Sequence, residues 1–432
     1  MLRSLLIFLC CSTVLTAQTD PAAIATAAEA IDGKVIEWRR HVHENPELSN
    51  REFETAKFIE SKLREIGIEE IKTGIAHTGV VGVLRGGQPG GVIALRADID
   101  ALPVTETTDV PFASTAKGEY KGEEVGVMHA CGHDTHVAML LGAAEVLKAR
   151  QSEIPGTILF VFQPAEEGAP VGEEGGAELM LKEGLFDDYK VERAFGIHIN
   201  SQTPVGTVRY TPEGAMAAVN QMEIIVKGKQ AHGSAPWAGV DPVATAAQII
   251  IGLEMIVARQ MELTKAPAVI SIGKIAGGVR DNIIPSEVVM NGTIRTLDKG
   301  MRADIIERIK KTATNIAEAN GAEAEVTIYS GYPVTYNDPT FTDAMLPTLK
   351  RTMGENKVVL SRPITGAEDF SFFAEKVPGL FVFLGGMDPE KKPSEVAGHH
   401  TPGFYIDERG LKYGVQLYAN VALDYLNSTR SR

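Results

Sequence analysis

The chain has 432 residues, a formal net charge of −14 and 44% hydrophobic residues. Its length exceeds the roughly 250–300 residues that a single core accommodates, so two domains are expected. The acidic balance argues against nucleic acid or an anionic membrane as partner, since either calls for a basic surface.

Met1-Leu-Arg3 and the apolar run from Leu5 to Ala17 have the form of a secretory signal. Residues 1–17 are therefore expected to be removed during export to the periplasm or the exterior, leaving no stable membrane association. Cys10 and Cys11 leave with that segment, so the mature chain keeps Cys131 and forms no internal disulfide. A lone thiol in an oxidising compartment is accounted for by burial or by metal ligation.

Residues 22–70 read as two helices, the second with Phe53, Ala56, Ile59, Leu63 and Ile66 at helical spacing and a stop at Gly67. Gly79 to Leu84 and Gly91 to Leu95 read as strands, the latter apolar throughout, as in a parallel sheet covered on both faces. It runs into Asp98 and Asp100. Met128 to His136 gathers three histidines, an aspartate and Cys131 ahead of a helix marked by Val137, Leu140, Leu141, Ala144 and Leu147, with Asp134 or Thr135 as its expected N-cap. Thr157 to Phe162 is another apolar strand and delivers Glu166 and Glu167. Ala194 to Ile199 carries His198. Ligand sites of open α/β sheets lie beyond the carboxyl ends of the strands, where these groups fall.

From residue 214 the pattern changes. Strands at Asn220–Val226, Ala268–Ile275, Val288–Thr296 and Ala324–Ser330 alternate with helices at Pro242–Val257 and Arg302–Ala319. That is the order of a ferredoxin-like α+β unit. The expected fold is thus α/β: a mostly parallel sheet with flanking helices over 22–213 and 331–432, and an inserted α+β domain over 214–330. The strand Gly379 to Leu384 and the pair His399-His400 follow the insertion.

Cys131, His133, Glu167, His198 and His400 offer sulfur, nitrogen and oxygen ligands, too many for one tetrahedral ion with an open position. Two divalent ions sharing a ligand account for them better, with zinc, manganese or cobalt compatible with the donor set. Successive residues of an extended chain point opposite ways, so Glu167 can face metal while Glu166 acts as general base on an activated water. Asp100 is the candidate to orient the His133 ring, and Asp98 to pair with Arg96. His232, in a loop of small residues, could steady an oxyanion, although a histidine so placed is more often simply exposed. Asn282 and Arg295 could meet substrate, Arg295 through a carboxylate.

Further runs carry a resemblance: HVHENPELSNRE (41–52), LRADIDALPVTE (95–106), MHACGHDTHVAMLLGAA (128–144), FQPAEEG (162–168), GIHI (196–199), AHGSAPWAGVDP (231–242), RDNIIPSE (280–287), GTIRT (292–296), GAEDFSFF (366–373) and HHTPGFYIDE (399–408). Together they resemble the binuclear metallo-amidohydrolases related to aminoacylases and metallo-carboxypeptidases, nearest the hippurate and indole-acetyl-amino-acid hydrolases. The resemblance implies metal ligation by Cys131, His133, Glu167, His198 and His400, and Glu166 as base. Cys131 stands where other branches carry a bridging carboxylate. It further implies that His232 and Asn282 reach the substrate carbonyl, often across the interface of a homodimer formed by the inserted domain. Many relatives carry histidine where this chain has Trp237, which leaves the substrate open. The expected activity is hydrolysis of N-acyl-amino acids. The alternatives are a dipeptidase or carboxypeptidase of the same architecture and a non-catalytic metal-dependent binding protein, the last disfavoured by the retention of both glutamates.

Overall fold

The computed structural model describes residues 20–429, so the expected signal segment lies outside the described residues. Three helices, not two, open the chain: Pro21–Ala30, Asp32–Glu44 and Phe53–Ile66. The first begins on the Asp20 cap with Pro21 already at a helical φ. The unexpected break falls at Ile31 (φ −107°, ψ 3°), just before Asp32-Gly33, where low helix propensity and an acid suited to a first turn favour a new start.

A ten-stranded sheet organises the larger part of the molecule. Its centre is parallel: Pro155–Gln163, Gln88–Asp98, Arg193–Pro204 and Gly379–Met387 lie side by side, with antiparallel pairs at the flanks. These central strands are apolar along most of their length because helices cover both faces, and Phe160, Phe162 and Phe195 are fully buried. Each such ring contributes about 1.5–3 kcal/mol by leaving water. The helices His133–Lys148 and Leu411–Thr429 pack against each other on one face. Both are buried over most of their circumference, which explains the weak amphipathic periodicity of their sequences.

The second sheet is antiparallel and four-stranded, ordered Ala268–Gly277, Glu287–Thr296, Ala218–Lys227, Glu323–Ser330, the arrangement of a ferredoxin-like unit. Helices Pro242–Gln260 and Lys299–Ala319 cover one face, enclosing a separate core around Met222, Ile249, Leu253, Met290, Ile305 and Ile309. The second helix begins a turn earlier than its apolar spacing suggested, because the Asp298 carboxylate accepts from the Met301 N–H at 2.8 Å.

Candidate metal centre and catalytic cleft

Four segments meet beyond the carboxyl ends of the central strands. The strand Gln88–Asp98 leads to Asp98 and Asp100, Pro155–Gln163 leads to Glu166 and Glu167, Arg193–Pro204 carries His198, and the loop before Leu411–Thr429 brings His399 and His400. Between them sits Cys131, immediately before Gly132, which occupies the left-handed region (φ 101°) and caps the helix His133–Lys148. The expected cap at Asp134 or Thr135 is thus corrected: a chain reversal this tight needs positive φ, which glycine adopts without a Cβ penalty. Thr135 instead donates its hydroxyl to the Gly132 carbonyl at 2.6 Å, and Asp134 turns inward to Arg39 (2.7 Å) and His43 (2.8 Å).

The Cys131 Sγ lies 3.4 Å from His198 Nε2, 3.4 Å from His400 Nε2 and 3.8 Å from His399 Nδ1. The His400 Nε2 is also 3.2 Å from Glu167 Oε1. His133 Nε2 stands 3.9 Å from Glu166 Oε2. Beside the groups Asp98–His133–His136 and Glu166–Glu368–Asp369, the possible donor atoms form three overlapping trios, Cys131–His198–His399, Cys131–Glu167–His400 and His133–Glu166–Glu167, with the atoms of each within 4.8 Å of one another. Cys131 and Glu167 each belong to two of these three trios.

The residues fit metal by a further test. His133 Nε2 is buried and makes no hydrogen bond among the described residues, a costly state for a polar atom unless an ion completes it. The opposite ring nitrogen of His133 is held by the Asp100 carbonyl at 2.9 Å and the Asp100 carboxylate at 3.1 Å, so its free nitrogen faces the cluster. Burial alone would make that ring neutral, but the charge of Asp98 and the bond to Asp100 push its pKa up to about 10 in the absence of metal. Burial and the surrounding carboxylates, first Glu167 and then Glu166, push the Cys131 thiol well above its ordinary value. A cation in the cluster reverses both effects, because it favours thiolate and neutral imidazole.

Glu166 is buried, and its pKa is raised well above the usual carboxylate range by desolvation and then by Glu368 and Glu167, against the pull of Arg96. Asp98 bonds Arg96 at 2.7 Å but also contacts His133 at 3.6 Å and bonds His136 Nδ1. His136 Nε2 then accepts the Ile199 N–H at 2.8 Å. That bond ties the helix carrying His133 to the strand carrying His198. The cleft above the cluster has a volume of about 530 Å³; Arg295, Met216, Val219, Ile364 and Phe383 line it with Cys131, Glu166, Glu167, His198, His399 and His400.

His232 and Asn282 lie elsewhere. They neighbour each other on an exposed two-stranded ribbon, where His232 pairs with Ile283 and the Gly233 N–H donates to the Asn282 carbonyl at 2.8 Å. Neither lines the cleft of its own chain. Trp237, in the same loop, is 83% exposed. Sequence reasoning passed over His399 in favour of its neighbour, and also missed Glu368, Asp369 and Tyr332. Their only sequence signal is membership of the GAEDFSFF and HHTPGFYIDE runs or position at the end of the insertion. Side chains from so many distant segments come together only on folding.

Comparison with known proteins identifies the family. Residues 94–424 match Peptidase family M20/M25/M40. The chain is 42% identical to thermostable carboxypeptidase 2 of Saccharolobus solfataricus, over 92% of this chain and 96% of that one. It is 38% identical to N-acetylcysteine deacetylase of Bacillus subtilis, over 94% of this chain and all of the relative. Among solved structures, the Bacillus subtilis YxeP protein, described as a dinuclear metal binding peptidase of the M20 family, superposes with a TM-score of 0.77 at 36% identity, covering 92% of this chain and 99% of that one. The chain with this cleft is a hydrolase belonging to Peptidase family M20/M25/M40.

Proposed function

We propose that this enzyme hydrolyses the amide of N-acyl-amino acids at a centre for two divalent ions held by Cys131, His133, Glu167, His198 and His400, with Glu166 as general base. The observation that carries this reading is the buried Glu166 beside overlapping donor trios in a cleft that also holds Arg295. When bound, the ions lower the proton affinity of a coordinated water and polarise the scissile carbonyl. Glu166 takes the proton from the attacking water and passes it to the leaving nitrogen as the C–N bond breaks. Asp100 keeps His133 oriented. Arg295 offers its guanidinium to the substrate carboxylate, while Met216, Val219, Ile364 and Phe383 give the acyl group apolar walls. A deacetylase and an IAA-amino acid hydrolase of Arabidopsis thaliana among the relatives support the amide class.

The test is a panel of N-acetyl- and N-benzoyl-amino acids set against free dipeptides, with Glu166→Gln as control. Turnover of the acylated panel, lost in Glu166→Gln with metal content intact, is expected. Preferential cleavage of free peptides would favour the carboxypeptidase reading, which the relative at 42% identity supports.

The same reading makes the chain a homodimer through residues 214–330, with His232 and Asn282 completing the partner's cleft. Its support is the edge strand Ala268–Gly277, paired on one side only, and the exposure of Ile251, Met255, Val269 and Ile275 beside it. Unpaired edges and apolar patches of this kind ordinarily need cover. Mixing inactive Glu166→Gln with inactive His232→Ala should restore activity through hybrid dimers; a monomeric sedimentation coefficient would refute it. Export rests on the form of residues 1–17 alone, and amino-terminal sequencing of secreted protein tests it.

A further inference from the structure

The base-bearing turn is strained and clamped from three sides. Ala165 adopts a positive φ of 52°, a conformation that costs a residue with a Cβ about 1–2 kcal/mol. Three successive residues of that turn are then held by three separated segments. The Ala165 N–H donates to Glu52 Oε1 at 2.9 Å, the Glu166 carbonyl accepts from the Tyr332 hydroxyl at 2.7 Å, and the Glu167 N–H donates to Asp100 Oδ2 at 3.0 Å. Glu52 and Asp100 belong to the larger part of the molecule. Tyr332 does not belong there so simply. It lies on the segment that returns from the four-stranded sheet, and its own carbonyl accepts from the N–H of Val219, on the first strand of that sheet, at 3.0 Å. Both crossings between the two parts are therefore joined at Tyr332. Next to it, Gly331 approaches so closely that a Cβ would lie 2.5 Å from the Val219 carbonyl oxygen.

We propose that Tyr332 is a positioning residue that couples the four-stranded unit to the general base: its backbone moves with the inserted sheet and its hydroxyl sets the placement of Glu166. This rests on the assignment of Glu166 as base. The hydroxyl is committed to donating, since burial and then Asp369, Glu166 and Asp100 hold the phenol far above its ordinary pKa. A shift of the inserted unit is thus felt first at the Glu166 carbonyl.

The experiment is Tyr332→Phe in the metal-loaded full chain, read three ways: kinetics on N-acetyl- and N-benzoyl-amino acids, elemental analysis, and hydrogen exchange of the backbone amides of residues 165–168. Loss of one hydrogen bond predicts a fall of about tenfold in kcat with KM changed less than about twofold, two ions retained and faster exchange at 165–168. An unchanged kcat, an equal rise in KM, or unchanged exchange overturns the proposal. If the wild-type chain cleaves none of these amides, the functional reading fails by itself. Exchange then still decides whether the hydroxyl holds the turn.

Discussion

Arg96 is wholly enclosed, and its guanidinium meets Asp98 at 2.7 Å, Glu368 at 2.7 Å, Asp369 at 2.9 Å and the Gln163 side-chain carbonyl at 2.8 Å. Three buried carboxylates around one cation make a high-stakes arrangement, because deleting the cation strands the acids rather than removing a single contact. Breaking such a network costs about 3–5 kcal/mol, so Arg96→Met should lower the unfolding free energy by that amount in urea titration; a loss under about 1 kcal/mol would refute it. Glu52 allows a pH test. Its pKa is raised to about 8, first by burial and then by Asp100. A carboxyl whose folded pKa exceeds its unfolded value of about 4.5 leaves stability intact below that pH and erodes it as pH rises toward 8. Glu52→Gln should therefore flatten the decline in urea midpoint of metal-free protein between pH 5 and 8; an unaltered slope would rule Glu52 out as its source. At this scale sequence reasoning reached the groups with obvious metal chemistry. Glu52, Glu368 and Asp369 looked like ordinary acids, because nothing local marks a carboxylate for burial.

At the scale of elements, the junction between Cys131 and the helix His133–Lys148 decides the site. A Cβ on Gly132 would lie 2.3 Å from Ile199 Cγ2, and the backbone there is left-handed. Gly132→Ala should cost at least about 1–3 kcal/mol and push the helix away from the strand bearing His198. Reduced metal stoichiometry in a still-folded protein is the expected result, checked by elemental analysis beside circular dichroism; full stoichiometry at unchanged Tm would refute it. Strand positions were legible because continuous apolar runs of five or six residues are unusual outside doubly covered sheets. The helix break at Ile31 was not legible, since Asp32-Gly33 lowers helix propensity only locally within two segments that both form helix, and tertiary packing chose between one helix and two.

For the molecule as a whole, metal and fold are linked. His133 Nε2 is buried without a hydrogen-bond partner among the described residues, so ions that bind the native state alone should stabilise it by about 2.7 kcal/mol at a hundredfold excess over Kd. Chelation should lower Tm, and zinc, manganese or cobalt should restore it; a Tm indifferent to chelator would contradict the metal assignment. The α/β class, the ferredoxin-like order of the second sheet and the chemical types of the candidate ligands were all legible in the linear chain. Those features follow from local periodicity and from residue chemistry, which survive in a linear string. Folding in three dimensions brought His399 beside His400 near Cys131, gathered three acids around Arg96 and carried Tyr332 to the Glu166 carbonyl. It alone placed His232 and Asn282 outside the cleft of their own chain. Each of these depends on the path taken by long connections, where a difference of one turn redirects a side chain and no local pattern records the outcome.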